Sequence, residues 1–144
     1  MVKKILLLLV IFLILGQLIR IDKSVPETDA KLDLFAMNKA PADIKAMVKG
    51  ACYDCHSYET TYPWQTEIAP ASWWIKGHIK NGRQNINFSE WGTYDAGKRK
   101  YKGEESAEVL ENLRMPPKSY RFMHTPAQLS EGDRKKLADW FKRL

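Results

Sequence analysis

The chain has only two cysteines, and both fall within five residues: Cys52-Tyr53-Asp54-Cys55-His56. This C-x-x-C-H pattern is the attachment signature of a c-type haem, and it constrains the fold more than any other feature. Two sulfurs must reach vinyl groups on adjacent edges of one porphyrin, and the next residue must set an imidazole under the iron. A short turn of backbone meets all three demands. Thioether bonds then fix the cofactor, so a small domain need not hold it by burial alone. Three other readings of the cysteines compete. A thioredoxin-like redox pair wants a βαβ setting, and no segment shows sustained period-two alternation. A structural zinc site needs four donors. Cys52, Cys55, His78 and His124 make four, but the two histidines lie too far apart in sequence for a finger. A plain disulfide is compatible with the sequence.

The N-terminus supplies an independent hint. Lys3-Lys4 precede an unbroken apolar run from Ile5 to Leu15, and Leu18 and Ile19 extend it. A charged stretch followed by an apolar one reads as an export signal, and haem attachment of this kind occurs outside the bacterial cytoplasmic membrane. No small-x-small cleavage site follows, and no cysteine that would take a lipid. The expectation is therefore an uncleaved single-pass signal anchor over residues 1–20, with the domain on the periplasmic side. A soluble periplasmic form after cleavage is the alternative. The apolar stretch is short for a span: fifteen residues at ~1.5 Å each give about 22 Å, against a ~30 Å hydrocarbon core. Arg20 could snorkel to the interface.

Past residue 20 the chain carries twenty Lys and Arg against seventeen acidic residues. That mild excess, without a basic–aromatic repeat, does not argue for nucleic acid. Residues 21–40 read as a linker, with a helical turn or two between Asp29 and Met37. The domain proper is expected over residues 41–144, and it reads as all-α. Pro41 and Asp43 suit a helix start, and Ile44, Met47, Val48 and Ala51 share one helix face. Gly50 marks the end of that helix, next to the cysteines. A second helix is expected from Ala71 to Arg83, where Asn81-Gly82 suggests fraying or a cap. Residues 84–103 read as a polar, aromatic connection. A third helix, about Glu104 to Leu113, stops before Pro116-Pro117. Residues 115–129 read as a loop. The closing helix is capped by Ser130, with Asp133 three residues on, and Leu137, Trp140, Phe141 and Leu144 form its apolar stripe.

A proximal His56 leaves one axial position on the iron. A Met ligand gives a high-potential electron-transfer haem, a His ligand a lower one, and an open site suggests ligand binding. The candidates are Met115, His78, Met123 and His124. Met115 is favoured because Pro116-Pro117 stiffen the loop that carries it. His78 sits on an apolar helix face, where a packed core histidine is the commoner outcome. Arg83 is a candidate partner for a haem propionate, with a solvated surface charge as the alternative. Trp64, Trp73, Trp74, Trp91 and Trp140 could pack on a macrocycle or simply build a core. Lys98, Arg99, Lys100 and Lys102 form a basic run that could steer an acidic redox partner or only face solvent.

From about Pro41 to Leu144 the chain resembles a family of small bacterial haem-binding domains with one C-x-x-C-H. The matching features are Cys52-Tyr53-Asp54-Cys55-His56-Ser57, Tyr62-Pro63-Trp64 and Ala69-Pro70-Ala71-Ser72-Trp73-Trp74. Further along come Gly82-Arg83, Asn87-Phe88-Ser89-Glu90-Trp91, and Met115-Pro116-Pro117 with Ser119-Tyr120 and His124. The resemblance implies a cytochrome c-like mono-haem domain: helix, haem motif, middle helices, Met loop, closing helix. It also strengthens Met115 as the distal ligand. Two features depart from a typical carrier cytochrome: the aromatic loop after the haem motif, and the length of residues 84–103.

The functional expectation is one haem c and its iron. Cys52 and Cys55 would form thioethers, His56 would be the proximal ligand and Met115 the distal one. The expected role is electron transfer to or from other exported or membrane redox proteins, non-enzymatic rather than catalytic. The alternative is a haem-based sensor or enzyme with an open or displaceable sixth position. A two-haem peroxidase is excluded, because there is no second C-x-x-C-H.

Overall fold

The structure is a computed structural model that describes residues 1–144. It is all-α, with no strand. The helices are α1 (Val2–Gly16), α2 (Leu34–Met37), α3 (Ala42–Ala51), α4 (Tyr53–His56), α5 (Ala71–Asn85), α6 (Ala96–Glu111), α7 (Lys118–Met123) and α8 (Glu131–Phe141), joined by short 3-10 turns.

The expectation of a membrane anchor is overturned. No helix is long and apolar enough to cross a membrane. Helix α1 spans 15 residues and ends at Gly16, so the apolar run gives out before it reaches the needed length. The chain that follows is tied to the domain. The Gln17 carboxamide donates to the Ala69 carbonyl at 3.1 Å and accepts from the Ala69 amide at 3.0 Å. Gly16 lies against the Trp73 ring, whose indole N–H donates to the Ile19 carbonyl at 3.0 Å. Residues 30–37, read as linker, also pack inward. Leu34 is fully buried, and Asp33 caps α2 while accepting the Tyr53 hydroxyl at 3.0 Å.

The core is built around aromatic rings. Phe35 stacks on Tyr53 at 5.5 Å, Tyr53 on Phe88 at 5.4 Å, and Phe88 on Phe141 at 6.2 Å, with Trp140 beside Phe35 and Phe141. Leu34, Ile44, Val48, Leu110 and Leu137 complete it. Burying such rings removes the most apolar surface per residue, and offset stacking adds to it. Helix α3 presents Ile44, Val48 and Ala51 to this core, the face that its spacing predicts. Helices α6 and α8 cross closely at Gly103, where a Cβ would stand 2.5 Å from the Phe141 carbonyl oxygen. Only glycine allows that approach.

Four expectations about the helices and the segments between them change. Helix α6 begins at Ala96, with Asp95 accepting from the Lys98 amide, so the basic run lies on its first turns rather than in a loop. The remainder of the expected 84–103 connection folds inward: Ile86, Phe88 and Trp91 are core residues. The loop after Met115 contains the short helix α7. Helix α5 runs through Gly82 to Asn85, so Asn81-Gly82 is helix interior rather than a cap. Helix α8 keeps its expected start, a complete Ser130–Asp133 capping box.

Candidate functional site

Helix α3 ends at Ala51, and Cys52 turns the chain directly into the single helical turn Tyr53–His56. That turn is held from both sides. The buried Tyr53 phenol reaches back to Asp33, and Asp54 reaches forward: one carboxylate oxygen accepts from the Thr61 amide at 2.8 Å, the other from the Tyr120 hydroxyl at 2.7 Å. Burial, and then the Asp33 and Asp54 carboxylates, push both phenols well above their ordinary range, so they stay protonated donors.

Helix α5 lies directly on the turn. A Cβ at Gly82 would stand 2.5 Å from the Cys55 carbonyl oxygen. The same close approach sets His56. Its Nδ1 lies 3.0 Å from the Gly82 carbonyl and 3.2 Å from the Ile86 carbonyl. A carbonyl only accepts, so Nδ1 carries the hydrogen and Nε2 keeps its lone pair. Burial lowers the His56 pKa, against the opposing effect of these two bonds, and so favours the neutral imidazole that binds metals. The ring also packs on Phe88, centroids 5.9 Å apart.

A cavity of about 300 Å³ opens beside this turn, a size ordinary for small-molecule and cofactor sites. Cys52, Cys55 and His56 all line it. Ile86, Phe88, Val109, Leu110 and Phe141 give it apolar walls, and Met115-Pro116-Pro117 with Tyr120 also line it. His78, Asn81 and Asn85, spaced along one face of α5, add a polar strip. Both cysteines are free thiols. Burial, reinforced by the neighbouring Cys55, pushes Cys52 up to about 12, and burial with Asp54 pushes Cys55 up to about 11. Inside the folded pocket neither is a ready thiolate.

The cavity sorts the candidate sixth ligands. Met115 and His78 line it; Met123 and His124 do not. Met115 is fixed through its backbone. Its amide donates to the Val109 carbonyl at 3.0 Å, and its carbonyl accepts from the buried Arg134 guanidinium at 2.9 Å. His78 turns Nδ1 to the Trp74 carbonyl at 3.0 Å and lies against the Trp74 ring. The four-donor zinc reading has no geometry behind it, since His124 lies outside the cavity and no three His, Cys, Asp or Glu side chains converge for a metal.

Arg83 does not line the cavity. Its Nε donates to the Ser57 carbonyl at 2.8 Å and one terminal nitrogen to Thr60 Oγ1 at 2.9 Å. It thereby clamps the loop that follows the C-x-x-C-H turn. No tryptophan lines the cavity either. Trp91 and Trp140 are core residues, whereas Trp64 and Trp74 are 69% and 53% exposed. A wider groove of about 520 Å³ beside α3 holds no cysteine, histidine or methionine. Arg134 and the Ile86 carbonyl are site groups with no signal in the sequence, while Tyr120 and Gly82 fall in motifs that carry the resemblance without a role assigned to them there.

The donor set fits an iron porphyrin. Apolar walls would take the ring, and two thiols, an imidazole with its Nε2 lone pair free and a thioether all line the same cavity. A family model described as a haem-binding domain matches residues 11–143. No curated protein and no solved structure gives a significant match.

Proposed function

The chain belongs to the haem-binding domain family, and from that premise we propose that it is a mono-haem electron carrier of the cytochrome c kind. In this reading the haem is type c, joined through Cys52 and Cys55, with His56 as proximal and Met115 as distal ligand. The observation that carries the proposal is the pinning of His56. Two carbonyls hold Nδ1–H, leaving Nε2 as the free base in a cavity that Met115 also lines.

When bound, haem supplies a one-electron Fe(III)/Fe(II) couple. The residues prepare it. His56, oriented by Gly82 and Ile86, needs no rearrangement to hold its geometry in either oxidation state. The apolar walls from Phe88, Val109, Leu110 and Phe141 exclude water and so disfavour the extra positive charge of the oxidised site. The Met115 loop, stiffened by Pro116 and Pro117 and tied to Arg134, offers a thioether from a fixed backbone. Lys98 and Lys100 are exposed on the first turns of α6 and would favour an acidic exported redox partner. Lys3-Lys4 followed by the apolar α1 supports export of the chain before attachment.

A visible spectrum of the haem-loaded full chain, with and without carbon monoxide, tests the proposal. A carrier shows a far-red sulfur-to-iron band when oxidised and binds carbon monoxide slowly when reduced. Rapid binding by the wild-type protein contradicts a tight Met115 ligand. It would instead favour a ligand-binding sensor or enzyme, the reading that the polar strip of His78, Asn81 and Asn85 along the cavity supports.

A further inference from the structure

We infer that Asp54 and Tyr120 form a latch that holds the Met115 loop closed against the haem motif, which makes Asp54 a positioning residue for the sixth ligand. The inference rests on the reading of Met115 as that ligand. Its basis is an unequal distribution of support along one wall of the cavity. Met115 itself is anchored at its backbone by Val109 and Arg134. The segment after it is not. Helix α7 contains no buried residue, and Phe122 and Met123 are 87% and 59% exposed. Its main packing partner is the turn Thr125–Ala127 that follows it. An element with so little buried surface opens at low cost.

One bond joins α7 to the haem motif across 66 residues of sequence: Tyr120 Oη donates to Asp54 Oδ2 at 2.7 Å. Both partners are suited to it. Asp54 stands between the two cysteines, with its other oxygen fixed by the Thr61 amide, so the acceptor moves only if the haem motif moves. Tyr120 lines the cavity and stacks on His124 at 4.9 Å, which limits its rotation. A bond to a charged acceptor, half-buried at both ends, is of the stronger class. Its loss shifts local opening by roughly ten- to a hundredfold. The latch therefore governs how often α7 and the Tyr120 ring swing away from the cavity on the Met115 side, and with it the freedom of the Met115 side chain and the access of outside ligands.

Tyr120→Phe in the haem-loaded full chain tests this, because it removes the hydroxyl and keeps the ring. Two readouts are taken: amide hydrogen exchange over residues 113–124, and the rate of carbon monoxide binding to the reduced protein. The latch predicts about tenfold or faster exchange in that segment with α8 unchanged, and a similar acceleration of carbon monoxide binding. Asp54→Asn, which keeps an oxygen acceptor, should fall between Tyr120→Phe and wild type. Wild-type exchange over 113–124 in Tyr120→Phe overturns the latch. If the wild-type protein already binds carbon monoxide rapidly, the Met115 reading falls, and the exchange measurement alone decides the latch.

Discussion

Gly82 and Cys55 meet so closely that any side chain at Gly82 would collide with the Cys55 backbone: a Cβ there would stand 2.5 Å from the carbonyl oxygen and 3.2 Å from the Cys55 Cβ. The contact joins the last turn of α5 to the C-x-x-C-H turn, and the Gly82 carbonyl is at the same time the nearer acceptor for His56 Nδ1. Packing and the orientation of the His56 ring depend on one position.

Gly82→Ala is therefore expected to force α5 off the haem motif. Overpacking of this sort costs about 1–3 kcal/mol, even though alanine is the better helix former by roughly 1 kcal/mol. Urea unfolding should show the loss, and haem incorporation should fall as His56 loses its acceptor. Gly77→Ala is the control. It lies on the same helix with nothing within 4 Å of its Cβ, and it should be neutral or slightly stabilising.

Phe88 touches Tyr53, His56 and Phe141 and also lines the cavity. Phe88→Ala should cost about 3–5 kcal/mol. Measured by denaturant midpoint, its effect should exceed that of Trp74→Ala, whose ring is half exposed.

Met115→Ala should abolish the far-red band, lower the midpoint potential and speed carbon monoxide binding to the reduced protein. Met123→Ala should change none of these, since Met123 lies outside the cavity. Protein-film voltammetry on the two variants separates them directly.

Ser130→Ala breaks the capping box of α8 and should cost about 1 kcal/mol. The bonds from Ser130 hold the Asp133 carboxyl below its usual range. The contribution of Asp133 is thus present above the ordinary carboxylate pKa and is lost as pH falls through the depressed one. The Ser130→Ala penalty should accordingly shrink on acidification, which thermal unfolding at neutral and acid pH can follow.

Much of this architecture is legible in the sequence where pattern and packing agree. The stripe Ile44, Val48, Ala51 and the Ser130–Asp133 cap lie where their spacing places them, and the cysteine pair follows the end of α3 as expected. The start of α6 is obscured because its first turns carry Gly97 and a run of lysines with no apolar period, although Asp95 offers a capping signal. Helix α7 is short and buries nothing, so periodicity cannot reveal it. The single-pass span does not stand, because a helix that ends at Gly16 leaves too little apolar length. The site divides in the same way. Cys52, Cys55 and His56 are legible as a cluster because they are near neighbours in sequence, and the structure sets all three on one cavity. The bonds Tyr120–Asp54 and Arg134–Met115 bridge distant segments, and no local pattern encodes them. Arg83 is legible as a bidentate donor, but its tertiary partners are Ser57 and Thr60.

The central claim is that one haem is covalently held at Cys52 and Cys55 with His56 beneath it. Its most direct measurement is the intact mass of the haem-loaded chain after unfolding in acid and extraction with organic solvent. The account predicts that the wild-type protein retains the mass of exactly one haem and that Cys52→Ala/Cys55→Ala retains none. Release of all the haem from the wild-type chain into the organic phase, leaving the bare polypeptide mass, would contradict it.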